Sequence, residues 1–224
     1  MTETPHTLRS FGRRKGRKLR PNAQDLYTDL LPTLKVGEWA SDAKNVTIPD
    51  PLWLEIGFGG GEHLAHIATS YPDIQMIGCE PYVNGIAGLL SQIDEQDIQN
   101  IRIYNDDVRE LLGVMPEACL SRAYILYPDP WPKLRHHKRR LIQKPLLDAL
   151  ARVLKSGTEL RIATDWADYT TWILERLLPH ESFTWTATQA SDWQQPWDNW
   201  IPTKYEQKAK REGRDSSYLI FVRK

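Results

Sequence analysis

The chain has 224 residues, of which 41% are hydrophobic and 26% charged, with a formal net charge of zero; that is enough apolar material for one large core and too little length for a second independent one. No stretch approaches the run of roughly 20 apolar residues that a membrane span needs, and no secretion-signal core opens the chain, so a cytoplasmic protein is expected. The two cysteines, Cys79 and Cys119, lie in different segments without metal-ligand spacing, which points away from a disulfide framework or a zinc site.

Zero net charge conceals an asymmetry. Seven of the 29 Lys/Arg residues (Arg9, Arg13, Arg14, Lys15, Arg17, Lys18 and Arg20) fall in residues 1–20 with a single acid, Glu3. This segment has too few apolar side chains to fold alone and reads as a flexible basic arm that awaits a polyanion. Residues 21–224 form the single domain, which is left mildly acidic.

After a short helix near Asp25 to Leu34, apolar runs alternate with amphipathic stretches, the pattern of βαβ units. Strands are expected at Leu52–Ile56, Met76–Cys79, Ile101–Asn105, Ala123–Tyr127, Glu159–Thr164, Phe183–Thr188 and Tyr218–Arg223. Helices are expected at Glu62–Tyr71, Val83–Glu95, Val108–Leu112, Arg139–Lys155, Trp166–Leu178 and Thr203–Glu212. Asp165 is positioned to cap the helix from Trp166, Pro179 to follow its end, and Gly157 to terminate the helix before it. The result is a doubly wound α/β fold with a seven-stranded, mostly parallel sheet. The last strand, reached through a loop-like link from Ser191 to Tyr205 that holds Trp193, Trp197 and Trp200, is expected to run antiparallel.

The first strand leads into Glu55-Ile56-Gly57-Phe58-Gly59-Gly60-Gly61. Gly57 and Gly59 let the backbone turn sharply and a ligand lie against it, but the G-x-G-x-x-G of dinucleotide sites is broken by Glu62, and Glu55 would repel a pyrophosphate. S-adenosylmethionine, which carries a cationic centre and an amine and no phosphate, meets neither objection. Glu80 ends the second strand, 19 residues beyond Gly61, where an acid accepts from ribose hydroxyls. Asp106 or Asp107, just past the third strand, is placed to accept from the adenine amine. His63 and His66 are three residues apart without a third ligand nearby, so no metal is expected.

Residues 127–140, YPDPWPKLRHHKRR, are the most informative segment. Three prolines remove backbone donors and fix φ, so Asp129 and Trp131 sit on a rigid loop. A carboxylate accepts from N–H donors and an indole stacks on a base. The cationic or potentially cationic side chains of residues 135–140, with Arg135, Lys138, Arg139 and Arg140 foremost, suit phosphates.

Together with LEIGFGGGEHL (residues 54–64), GCEPY (78–82), the Asp106 segment, ATDW (163–166) and TKYE (203–206), this segment makes the chain resemble the bacterial tRNA (guanine-N7-)-methyltransferases from about Leu52 onward. The resemblance implies a Rossmann-like class I methyltransferase fold and transfer of a methyl group from S-adenosylmethionine to N7 of a guanine in the variable loop of tRNA, by a monomer or homodimer. It assigns Glu55, Glu80, Asp106 and Asp129 to the cofactor and reaction centre. Lys133, Asp165, Thr203, Lys204, Tyr205 and Glu206 go to the substrate site. N7 has a free lone pair, so the reaction needs no strong base and no metal; Asp129, alone or with Asp165, would accept from the guanine N1–H and amine. The base would have to be extruded, with Trp131 or a loop tryptophan stacking on it. Three rivals predict other signals. A nicotinamide oxidoreductase would need the missing third glycine, a non-catalytic RNA-binding module leaves the strand-end acids without purpose, and a methyltransferase for small molecules or proteins leaves the basic clusters unused.

Overall fold

The computed structural model describes residues 11, 12, 14–36 and 48–224. Two helices, α1 (Pro21–Asp29) and α2 (Leu31–Leu34), precede the sheet. From there the order is β1 (Leu52–Ile56), α3 (Glu62–Ser70), β2 (Gln75–Cys79), α4 (Val83–Gln96), β3 (Ile101–Tyr104), α5 (Val108–Val114) and β4 (Leu120–Leu126). A 3-10 turn (Leu134–Arg139) leads to α6 (Lys144–Val153), β5 (Leu154–Thr164) and α7 (Ala167–Leu177), and β6 (Phe183–Trp185), α8 (Ser191–Gln194), α9 (Lys204–Arg211) and β7 (Ser217–Arg223) close the chain.

The seven strands lie in the order β3-β2-β1-β4-β5-β7-β6. The first five pair in parallel, and β7 runs antiparallel between β5 and β6, as the sequence led us to expect. Both faces are covered, the condition for a buried parallel sheet. Leu52, Leu54 and Ile56 point into a core with α5, α6 and α7, while Trp53 joins the opposite core with α3 and α4. The strand order reverses between β1 and β4, and the crevice at the carboxyl ends of those strands is where such sheets hold ligands.

Several boundaries differ from the sequence expectation. The helix expected from Arg139 begins at Lys144, because Pro145 is tolerated only in a first turn. Gly157, at φ +79°, ends no helix: it lies within β5, where the partner register jumps from Leu120↔Leu154 to Arg122↔Glu159. Trp166, not Asp165, occupies the N-cap of α7, with no side-chain cap. The tryptophan-rich link contains α8, and β6 stops at Trp185.

The described part of the basic arm is anchored rather than free. Asn84 at the start of α4 clasps it, its Oδ1 accepting from Gly16 N at 2.9 Å and its Nδ2 donating to Arg17 O at 2.8 Å, and Val83 N donates to Arg14 O at 3.0 Å. Residues 1–10 and 13 lie outside the described residues. Among the described residues no helix is long and apolar enough to cross a membrane.

Candidate active site

The glycine loop between β1 and α3 is built as its sequence requires. Gly57 and Gly59 take φ of +73° and +57°, where a side chain would be strained. Gly85 in α4 is equally constrained, since a Cβ there would fall 2.3 Å from Gly59 O. Glu80 fastens the loop from the end of β2: its Oε2 accepts from Gly59 N and its Oε1 from Tyr82 N, both at 2.9 Å. Burial holds this carboxyl above the usual range; the two backbone N–H donors partly offset that, and the charges of Asp129 and Glu55 reinforce it.

Beside the loop, a cavity of about 720 Å³ opens at the carboxyl ends of β1 to β4. Gly57, Gly59, Glu80, Asp106, Asp107 and Asp129 all line it. The two consecutive aspartates differ in their commitments. Asp107 caps α5 through Arg109 N at 3.0 Å, and both its oxygens take the Arg109 guanidinium, at 2.9 and 2.6 Å. Burial pushes its carboxyl up, but these bonds win and leave it below the ordinary value. Asp106 is more exposed, and among the described residues only its Oδ1 is engaged, by Arg14 at 2.6 Å and Asp107 N at 2.9 Å.

The proline loop supplies the opposite wall. Tyr127 and Trp131, which bracket it, sit at φ +48° and +42°, a costly conformation for large side chains of the kind that collects at functional sites. Tyr127 N donates to Ala163 O at 2.7 Å and its hydroxyl shares a hydrogen bond with Ser216. Asp129 is open to the cavity mouth, and its carboxylate takes no hydrogen bond from the described residues. The surrounding walls raise its pKa with no counter-charge to oppose them. Tyr205 lies across the mouth, stacked on Tyr127 at 6.5 Å with 19° between planes, and its Cε2 would stand 3.0 Å from a Cβ at Gly59. Burial, then the charges of Glu80 and Asp129, raise the Tyr205 pKa.

Other expected site residues serve different ends. Glu55 does not line the cavity: it is 1% exposed and its Oε2 meets His63 Nδ1 at 2.7 Å, turned toward α3. His66 faces a separate groove, and among the described residues no cluster of three or more His, Cys, Asp or Glu is placed to hold a metal. Asp165 pairs with Arg214 at 2.8 Å and, like Lys133, is not in the cavity wall. Thr203 caps α9 through Glu206 N at 3.2 Å, and Glu206 is buried, accepting from Trp200 Nε1 at 2.7 Å and Tyr218 OH at 3.1 Å. Lys204 pairs with Glu62. Of the four cations expected on phosphate, Arg135 and Lys138 are exposed, and Arg139 is half-buried above Trp131, 5.0 Å from its ring. Arg140 is 2% exposed and bound inside the protein, so it is not a surface phosphate ligand. Trp197, which is buried, and Trp200, which is half-buried, pack edge to face with each other and with Tyr218, so both are built into the fold.

Residues 49–219 match a family model described as "Putative methyltransferase". A tRNA (guanine-N(7)-)-methyltransferase of Ruegeria sp. (strain TM1040) is 47% identical over 222 residues, 95% of this chain and 87% of that protein. The one from Agrobacterium fabrum (strain C58 / ATCC 33970) is 46% identical over 219 residues, 96% and 94% of the two chains. The chain belongs to this methyltransferase family. Solved structures agree at the level of the fold. The 16S rRNA methyltransferase KamB superposes with a TM-score of 0.56 at 14% identity, over 79% of this chain and 90% of that one. A variant of the 16S rRNA (adenine(1408)-N(1))-methyltransferase from Catenulisporales acidiphilia, with cosubstrate SAM, gives 0.52 at 15% identity, over 83% and 89%.

The cavity suits the cosubstrate of such a methyltransferase. Glu80 and Asp106 offer acceptors to hydroxyls and an amine, and Val108, Leu126 and Leu146 supply apolar wall for a flat ring. Tyr82, Arg109 and the Phe11-Gly12 stretch also line it; nothing in their spacing marks them, because the chain brings them in from three separate segments. The family motif TKYE is a fold element as much as a site. Replacing Glu206 by Ala is expected to lower stability by roughly 3 kcal/mol, since it orphans the buried Tyr218 hydroxyl and the half-buried Trp200 N–H, and a urea titration with an unchanged slope and a lower midpoint is the expected reading.

Proposed function

We propose that the protein transfers a methyl group from S-adenosylmethionine to N7 of a guanine in the variable loop of tRNA, forming 7-methylguanosine. Asp129 carries this reading: a carboxylate with no partner among the described residues, fixed on a strained loop, faces a cavity lined with acids and edged by Lys138 and Arg139. When bound, S-adenosylmethionine supplies an electrophilic methyl group whose C–S bond breaks with its electron pair left on sulfur. The N7 lone pair of guanine takes the methyl, and the purine becomes cationic. Asp129 accepts from the guanine N1–H and exocyclic amine, orients the base, and lies near the charge that develops. Glu80 and Asp106 hold the cosubstrate, with Asp107 and Arg109 shaping the wall. Tyr205 and Trp131, at the mouth, are the aromatic faces available to an extruded base.

Isothermal titration with S-adenosylmethionine, followed by label transfer to unfractionated tRNA, tests the reading; binding of RNA with no heat from the cosubstrate would make the protein a non-catalytic binder. The exposed arm cations Lys15, Arg17 and Lys18 belong to the segment that Asn84 clasps at the start of α4. Their joint replacement by Ala is expected to weaken tRNA binding and to make the plot of log K against log salt shallower by about two to three. An unchanged slope would remove the arm from the phosphate contacts.

A further inference from the structure

Arg140 stands last in the basic run, yet its side chain is fully buried, its guanidinium carbon 5.0 and 4.9 Å from the ring centres of Tyr169 and Trp172 on α7. It makes two directed bonds. Nε donates to the carbonyl of Pro130 at 2.8 Å, and one terminal nitrogen pairs with Asp168 in the first turn of α7. Pro130 directly follows Asp129 in a segment that three prolines deprive of backbone donors and that two left-handed aromatic residues put under strain. A loop so built does not hold itself. It is tied at its start by Tyr127, through Ala163 and Ser216, and past Asp129 by the Arg140 bond.

We infer that Arg140 and Asp168 form a strut that positions Asp129 for methyl transfer, and that Arg140 does not bind RNA. The strut joins the proline loop to α7, so the carboxylate is held against the part of the molecule that carries β5. Arginine suits the strut because two nitrogens of one rigid planar fork reach a carbonyl and a carboxylate at once; lysine offers its donors from a single point and cannot reproduce that spread. This rests on the methyl-transfer reading and deepens it.

Arg140→Lys and Asp168→Ala test the inference in the full chain. Both are expected to lower kcat about ten- to a hundredfold, with KM for tRNA and the salt slope of tRNA binding near those of the parent, and Asp168→Glu is expected to restore most of kcat. If Arg140 instead grips a phosphate, Arg140→Lys keeps kcat at saturating tRNA, Arg140→Gln flattens the salt slope by about one, and the strut is refuted. Asp168 is half-exposed, so its variants remain informative where an Arg140 variant fails to fold. Hydrogen exchange in a peptide spanning residues 127–133 reads the loop without reference to activity. Faster exchange in Asp168→Ala than in the parent is expected, and unchanged exchange with parental kcat overturns the strut. Failure of the parent itself to methylate tRNA would instead contradict the assigned reaction, and the exchange result would still stand for or against the strut.

Discussion

Asp129→Asn is expected to lower kcat for tRNA methylation by about 10²- to 10³-fold, the range seen when one preorganised group facing developing charge is removed. Affinity for S-adenosylmethionine should stay within a few-fold. The amide keeps the size and one acceptor oxygen but turns a nitrogen donor toward guanine N–H groups, and it withdraws the negative charge that favours a cationic purine. Because no described side chain pairs with Asp129, the substitution leaves no orphaned partner and should not disturb the fold. Stopped single-turnover assays with saturating cosubstrate isolate the chemical step; a matched loss of cosubstrate binding and rate would move Asp129 into the cofactor pocket. Its raised pKa adds a pH signature. The carboxylate must be ionised to work, so activity should fall on acidification from a pH above the ordinary aspartate value, and the asparagine variant should lose that limb of the profile.

Glu80→Gln is expected to act on the other side of the reaction, weakening S-adenosylmethionine binding by about 100-fold. Glu80 uses both oxygens at once, one on Gly59 N and one on Tyr82 N, so an amide can satisfy only one and must point its own NH₂ at the other backbone donor. The glycine loop then loses its tie to β2, and the site also loses the charged acceptor that Glu80 would offer to the cosubstrate's hydroxyls. Calorimetry should report the loss directly. Retained affinity with lowered kcat would mean that Glu80 serves the reacting base instead.

Much of this site was legible in the chain because it depends on short-range grammar. Glycines between a strand and a helix, acids at strand ends and prolines around Asp129 each mark a local backbone requirement, and βα alternation sends them to one rim. What escaped the sequence depends on partners far along the chain. In the run from Arg135 to Arg140 every cation looks alike; only Asp168, 28 residues later, and the rings of Tyr169 and Trp172 draw Arg140 inward. Glu55 reads as a pocket acid until His63 on the facing helix takes its carboxylate. Asp165 likewise reads as a cap or a ligand, but Arg214 claims it from the turn before β7. Motif membership did not separate the residues that face the ligand from those that hold the motif in shape: of TKYE, Tyr205 lines the cavity while Thr203 and Glu206 build α9 and its seat.

The most direct test of methyl transfer to guanine N7 is to incubate the protein with methyl-labelled S-adenosylmethionine and unfractionated tRNA, then cleave the RNA chemically at 7-methylguanosine. Label confined to that nucleoside, with cleavage in the variable loop, is the expected result. Label on another atom or base, or none on tRNA while the protein still binds the cosubstrate, would contradict it.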